Sequence, residues 1–232
     1  MIELSKRLGT IVGFIDKNKK VADIGTDHGF VPNFIVNEEI SDFVISSDIS
    51  KNSLLKSVEL TKEYKNEDKI INRIGPGLEV LSISEVDIAI IAGMGGLLIS
   101  EIIKDSWDIA INLDKLILQP MQAKKELREF LVNNGFEIID EKIVFEDRKY
   151  FEIIVAKYTG KNIEKENIFF EVPEIPYNRR DEIIYSYLEN RIEYNKMLID
   201  NLKKSCDLNK VDNKIKEVKI FINNCKELLN EI

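Results

Sequence analysis

Residues 21–29, Val-Ala-Asp-Ile-Gly-Thr-Asp-His-Gly, constrain the fold of this chain more than any other stretch. An apolar pair leads into Asp23, and Gly25 and Gly29 bracket Thr26, Asp27 and His28. The pattern predicts a buried strand, then a tight glycine-assisted turn, then a helix beginning at Phe30-Val31. Such a junction makes a ligand site, because backbone N–H groups point outward and the helix dipole favours negative charge. The spacing is not the dinucleotide fingerprint G-x-G-x-x-G. It is D-x-G-x-D-x-G, and its two carboxylates would repel a pyrophosphate. A ligand with an ammonium, a sulfonium and ribose hydroxyls suits them, and S-adenosylmethionine (SAM) is such a ligand. The same acids also serve as plain turn and cap residues, so at the level of this stretch both readings stand.

The rest of the chain repeats the strand-then-helix rhythm. Leu4, Leu8, Ile11, Val12 and Ile15 predict a helix over 3–15, with Lys6 and Arg7 off its apolar stripe. A strand over 43–48 ends at Asp48, 19 residues beyond Gly29 (48 − 29), where an acid can accept hydrogen bonds from ribose hydroxyls. Asp48 or Ser50 also suits the N-cap of the next helix. Ile70–Ile74 reads as a strand that ends in the turn Gly75-Pro76-Gly77. The apolar run 86–92 reads as a central parallel strand, buried on both faces, that stops at Gly93-Met94-Gly95-Gly96. Three glycines in four residues let a ligand lie against backbone. Lys115–Pro120 is a further strand, followed by a helix over 122–133. Residues 136–145 and 149–158 then read as an antiparallel hairpin. The expected fold is therefore a doubly wound, Rossmann-like α/β sheet with an antiparallel last strand.

After residue 160 the pattern changes. Residues 161–177 read as a linker, and 178–232 as two helices folded back across Ser205-Cys206-Asp207 into an antiparallel coiled-coil hairpin. Ile184, Leu188, Arg191, Asn195, Leu198 and Leu202 form one expected seam. Leu208, Val211, Ile215, Val218, Ile222, Cys225 and Leu229 form the other. The expected domains are 1–160 and 178–232.

Composition excludes several classes. No apolar run approaches the roughly 20 residues of a membrane span. His28 is the only histidine and the two cysteines lack C-x-x-C spacing, so no metal is expected. No export signal is apparent, which makes the cytoplasm the expected address. The net charge of −8 disfavours a general nucleic-acid face, leaving local basic patches as candidates. These are Lys17/Lys19/Lys20, Lys124/Lys125/Arg128, Arg148/Lys149 and Arg179/Arg180, each of which alone reads as solvated surface.

Taken together, five stretches resemble the bacterial tRNA (adenine(22)-N(1))-methyltransferase family, a branch of the class I SAM-dependent methyltransferases. They are Leu4-Ser5-Lys6-Arg7-Leu8, Ala22 to His28, Gly77-Leu78-Glu79-Val80, Ile91 to Gly96, and Leu116-Ile117-Leu118-Gln119-Pro120. The resemblance implies a tRNA substrate and SAM as cofactor. It implies that Asp23, Gly25, Thr26, Asp27, His28 and Gly29 line the methionine end of SAM, and that Asp48 and Ile49 hold the ribose side. Gly75, Pro76 and Gly77 would edge the adenine, and Ala92, Gly93, Met94, Gly95 and Gly96 would floor the space between sulfonium and base. Pro76 stands where many class I enzymes carry an acid, so a backbone contact must serve there. Asp27, His28 and Arg7 are the implied catalytic residues, and a monomer is expected. Two other readings remain open at this point. One is a non-catalytic SAM-binding or RNA-docking module, and the other a methyltransferase for another RNA or a small molecule.

Overall fold

The computed structural model describes residues 2–204 and 208–232. The chain divides into two compact units, Met1–Lys165 and Glu166–Ile232.

The first unit is built on a seven-stranded sheet in the order β3-β2-β1-β4-β5-β7-β6. The strands are β1 (Val21–Ile24), β2 (Val44–Asp48), β3 (Ile70–Ile74), β4 (Ile88–Met94), β5 (Lys115–Pro120), β6 (Phe136–Glu146) and β7 (Lys149–Tyr158). Strands β1 to β5 are parallel, and β7 inserts antiparallel between β5 and β6. Alternation decides which residue enters which core. Val21, Ile88 and Ile90 pack on one face of the sheet, and Ala22, Ala89 and Ile91 on the other. Both faces are covered, so the central strands are apolar without alternating polarity. The hairpin between β6 and β7 closes through Asp147 and Arg148, both at positive φ (49° and 60°), a turn whose twist matches that of its strands.

The helices of this unit are α1 (Lys6–Val12), α2 (Phe30–Asn37), α3 (Lys51–Glu63), α4 (Gly96–Asp105), α5 (Trp107–Ala110) and α6 (Lys124–Asn133). A single 3-10 turn spans Gly77–Val80. The first helix is shorter than the expected 3–15, because the Ser5 hydroxyl caps it by accepting from the Leu8 N–H. Strand β4 runs two residues past its expected end, bulging at Gly93 so that Met94 still pairs with Pro120.

One expected basic patch is a structural ion cluster instead. Arg128 is fully buried and pairs with Glu141 and Glu152, each at 2.8 Å, while Lys124 reaches Glu152 at 2.7 Å. A helix-surface spacing that looked solvated faces the hairpin, and the partner acids come from β6 and β7.

The second unit carries α7 (Ile168–Glu171), α8 (Glu174–Asn178), α9 (Ile183–Leu202) and α10 (Leu208–Glu231). The short helices α7 and α8 lie in the stretch read from sequence as a linker. Helices α9 and α10 run antiparallel. Tyr185, near the start of α9, donates to the Ile232 carbonyl (2.9 Å), and Arg191 stacks over Phe221 (5.0 Å). The buried seam of α9 is Ile184, Tyr187, Leu188, Ile192, Asn195 and Ile199, while Leu198 and Leu202 are only half-buried. On α10, Phe221 and Leu228 join Val218, Ile222 and Cys225. Burial pushes the Cys225 thiol up to about 12, as suits an inert packing residue. The expected turn at Ser205-Cys206-Asp207 and the seam side chains of Leu208 and Val211 lie outside the described residues. Among the described residues no helix is long and apolar enough to cross a membrane, and no cluster of three His, Cys, Asp or Glu could hold a metal ion.

Candidate active site

A cleft of about 300 Å³ opens at the carboxyl ends of β1 and β4. Its lining includes Arg7, Asp23, Gly25, Thr26, Asp27, His28, Phe30, Ala92 and Gly93. Parallel sheets leave such a crevice where successive connections depart to opposite faces, here between β1 and β4.

The turn after β1 is fixed by backbone. Gly25 and Thr26 both donate their N–H to the Ser47 carbonyl, at 2.8 and 2.9 Å. Gly25 (φ 77°), Asp27 (φ 53°) and Gly29 (φ 74°) take left-handed conformations. A Cβ at Gly29 would lie 2.9 Å from the Ser57 Cα, so this glycine serves the approach of α2 to α3 rather than the cleft.

Three carboxylates converge on this turn. Asp23 is only 6% exposed, and its carboxyl is pushed up to about 6. Burial is the main cause; the Thr26 side chain partly offsets it, and the charge of Asp48 adds to it. Asp48 accepts the Asp27 N–H (3.2 Å) and the Ser50 N–H (2.7 Å). The side-chain cap of α3 is Ser50, whose hydroxyl accepts from Ser53, so Asp48 is not needed for that role.

Asp27 belongs to a polar chain that sequence reasoning only half found. Its carboxylate lies 2.8 Å from His28 Nδ1, and Lys56 Nζ lies 3.1 Å from His28 Nε2. An ammonium can only donate, so Nε2 accepts and Nδ1–H donates to Asp27. The imidazole is further stacked on Phe30, with ring centroids 5.5 Å apart. The Nε2 lone pair of His28 thus faces the Lys56 ammonium.

The glycines at the end of β4 and just beyond it divide their labour, which corrects the expectation of one continuous floor. Gly93 (φ 78°) has nothing within 4 Å of the position a Cβ would take, and it alone of the three lines the cleft. A Cβ at Gly96 would collide with the Ala123 carbonyl, and one at Gly95 would press on Gln122 at 3.3 Å. Gly96 lets α4 start against the 122–123 backbone, where its N–H donates to the Gln122 carbonyl (2.8 Å), and Gly95 leaves room for the Gln122 side chain. The Met94 side chain fills the space that a Cβ on Gly25 would need.

The third loop sits beside Asp48 rather than in the cleft. The Gly75 N–H donates to the Asp48 carbonyl (3.1 Å), and a Cβ at Gly77 would meet Ile102 at 2.9 Å. Pro76 precedes the 3-10 turn in extended conformation. Arg73 fastens this loop through two hydrogen bonds to Glu85 (2.8 and 2.6 Å) and one to Val80. That guanidinium holds the Glu85 carboxyl down at about 2. Ile49, 73% exposed, presents an apolar side chain next to Asp48.

Arg7 forms the far wall of the cleft. Its Nη1 donates to Gln119 Oε1 (2.6 Å), its backbone N–H donates to Glu146 (2.7 Å), and its guanidinium lies over Phe151 at 5.3 Å. Gln119 is fully buried with its Nε2 turned to the Pro120 carbonyl, which leaves its oxygen for Arg7. Lys56, Glu146 and Phe151 had no signal in the sequence, because each reaches the site from a distant segment. Gln119 had one, the Leu-Gln-Pro at the end of β5.

The chemistry of this cleft is that of a receptor for a cationic, hydroxyl-bearing ligand laid against bare backbone. A family model described as a methyltransferase domain matches residues 4–154. The chain is 27% identical over 233 residues to the tRNA (adenine(22)-N(1))-methyltransferase of Bacillus subtilis, covering 99% of this chain and 98% of that one. It is 31% identical over 163 residues to a putative tRNA methyltransferase of Mycoplasma genitalium, covering 68% and 72%. The crystal structure of the B. subtilis m1A22 tRNA methyltransferase TrmK superposes with a TM-score of 0.86 at 26% identity, over 99% of this chain and all of that one. The matched segment runs from α1 to β7 and holds every residue of the cleft, and by it this chain belongs to the methyltransferase-domain family.

Proposed function

We propose that this chain transfers a methyl group from SAM to N1 of an adenosine in tRNA, at the position numbered 22 in its B. subtilis relative. The observation that carries the reading is that Asp23 and Asp27 line the cleft with the open backbone of Gly93, while Asp48, outside that lining, is joined to the turn through the Asp27 N–H.

The residues fit the cofactor on their own chemistry. Asp23 is a buried carboxylate for which ionisation is unfavourable without a cation, and the Gly93 Cβ position is open space. When bound, SAM supplies a methyl group on a sulfonium, open to in-line attack. Asp23 and Asp27 offset its positive charges, Asp48 accepts from its ribose, and exposed Ile49 covers its adenine. The third loop adds backbone contact at Gly75, Pro76 and Gly77.

The target nitrogen needs no general base. N1 of adenine has a free lone pair at neutral pH. N1 gains positive charge in the transition state, and the Asp27 carboxylate stabilises that charge. His28 and Phe30 supply a flat stacked wall, and Arg7 closes the opposite side. A paired N1 is hidden, so the adenosine must be extruded before it can enter the cleft. The helical unit, residues 166–232, holds the tRNA body.

The test is transfer of labelled methyl from SAM to unmodified bacterial tRNA, followed by nucleoside analysis. The expected product is 1-methyladenosine. Label in another nucleoside would redirect the substrate assignment. No label, with SAM bound, would leave a cofactor-binding module.

A further inference from the structure

Of the four basic patches of the sequence, the structure places one beside the cleft with both of its cations exposed. Lys17, Lys19 and Lys20 precede β1, at the opposite end of the strands, where Lys19 pairs with Asp114 at 2.6 Å. Lys124 and Arg128 are consumed by Glu141 and Glu152. In the helical unit, Arg179 pairs with Asp181 at 3.1 Å. Arg148 and Lys149 are different. Both are exposed at the turn of the β6–β7 hairpin, and neither has an ion-pair partner among the described residues.

This turn is one hydrogen bond from the cleft. Glu146, the last residue of β6, accepts the backbone N–H of Arg7, and Lys149 stands directly opposite Glu146 across the hairpin. On the other face, Phe145 is 44% exposed and packs its ring 4.7 Å from that of Tyr150. Strand β6 is the edge of the sheet, and charges on an edge protect it from pairing with another chain. Edge protection accounts for Arg148 and Lys149 but not for an exposed phenylalanine beside them. One tip that carries two unpaired cations and, on its reverse face, an exposed aromatic ring has the elements that hold a nucleic-acid strand wrapped over it, through phosphate charge and base stacking.

We propose that the tip of this hairpin, Phe145 to Tyr150, docks the RNA strand flanking the target nucleotide. The assignment rests on the tRNA methyltransferase reading and adds to it the surface that meets RNA next to the cleft. Arg148 and Lys149 hold phosphates, Phe145 takes a base, and Glu146 ties the docked strand to the Arg7 wall.

The experiment measures binding of unmodified tRNA to the full chain across a salt series, with SAM affinity by calorimetry as the control for folding. Removal of both cations in Arg148→Ala/Lys149→Ala should make the salt dependence shallower by about 1.5 in log–log slope. Between about 50 and 200 mM salt, the double variant then loses roughly eightfold less affinity than the wild type. Phe145→Ala should weaken binding with the slope unchanged, because stacking releases no counterions, and Arg148→Lys should retain the wild-type slope. SAM affinity should be the same in all. Wild-type affinity and slope in the double variant overturn the proposal and leave the tip as edge protection. If the wild type binds tRNA with the expected slope difference yet makes no 1-methyladenosine, the tip assignment stands and the reaction assignment falls. A wild type without tRNA affinity overturns both.

Discussion

Replacing Asp23 by asparagine should make the ligand-free protein more stable while abolishing its cofactor binding. Asp23 sits at 6% exposure with its carboxyl raised from 3.8 to about 6. Holding it ionised in the folded state therefore costs about 3 kcal/mol. An asparagine of the same shape carries no charge and so avoids that cost. The gain expected at pH 8 is about 3 kcal/mol. Its sign with pH follows from the raised value. Below the unfolded value near 3.8 the carboxyl is protonated in both states and carries no penalty. The penalty grows as pH rises from 3.8 to about 6 and is constant above that. Urea denaturation of wild type and Asp23→Asn at pH 8 and near pH 4 measures both ends. The variant should be more stable at pH 8, equal near pH 4, and without measurable SAM affinity at either. A variant less stable than wild type at pH 8, or still binding SAM, would refute the view of Asp23 as a strained receptor carboxylate. Stability surrendered at a binding site in this way is common where a site must hold a charge ready for its ligand.

Three further substitutions separate the site from its scaffold. Gly93→Ala adds a Cβ where nothing lies within 4 Å, so it should cost only about 1 kcal/mol for its positive φ while lowering SAM affinity at least about tenfold by calorimetry. Arg128→Ala takes the guanidinium away from buried Glu141 and Glu152 and should destabilise by about 3–5 kcal/mol in urea, whatever the ligand. Arg7→Ala should lower kcat/KM for tRNA at least about tenfold with SAM affinity near wild type, since Arg7 meets the cleft from the wall opposite the acid turn. Equal loss of both would mark Arg7 as a packing residue of α1.

How much of this was legible in the sequence depends on how local each signal was. The turn at 21–29, the acid ending β2 and the strand at β4 were legible because their patterns are local: an apolar run, a glycine, an acid. The doubly wound sheet followed from the same rhythm, as did the antiparallel hairpin that ends it; the placing of β7 between β5 and β6 did not, because it depends on packing between distant segments. Arg128 was not, because its spacing on α6 is that of a surface helix and only the fold brings Glu141 and Glu152 over it. Gly96 and Gly93 look alike in a string of letters. One is spent on helix packing and the other opens to the cleft, a difference set by residues 122–123, some 27 positions away (123 − 96). The seam of α9 shifted for a related reason. Leu198 and Leu202 fit a heptad, but Tyr187, Ile192 and Ile199 offered the larger apolar face, and Arg191 found a place over Phe221. Lys56 is the most instructive omission. It lies 28 residues from His28, in the middle of a polar helix, and it makes the Nε2 of that histidine a hydrogen-bond acceptor.

The claim at the centre of this account is that the acid-lined cleft delivers a methyl group to one ring nitrogen of one tRNA adenosine. Primer extension on a single unmodified tRNA, before and after incubation with the full chain and SAM, tests it most directly, because a methyl on N1 blocks base pairing. A new stop at adenosine 22 is expected, absent without SAM, absent with Asp23→Ala, and absent when that adenosine is replaced by guanosine. A stop that survives Asp23→Ala, or methylation that leaves adenosine 22 readable, would contradict it.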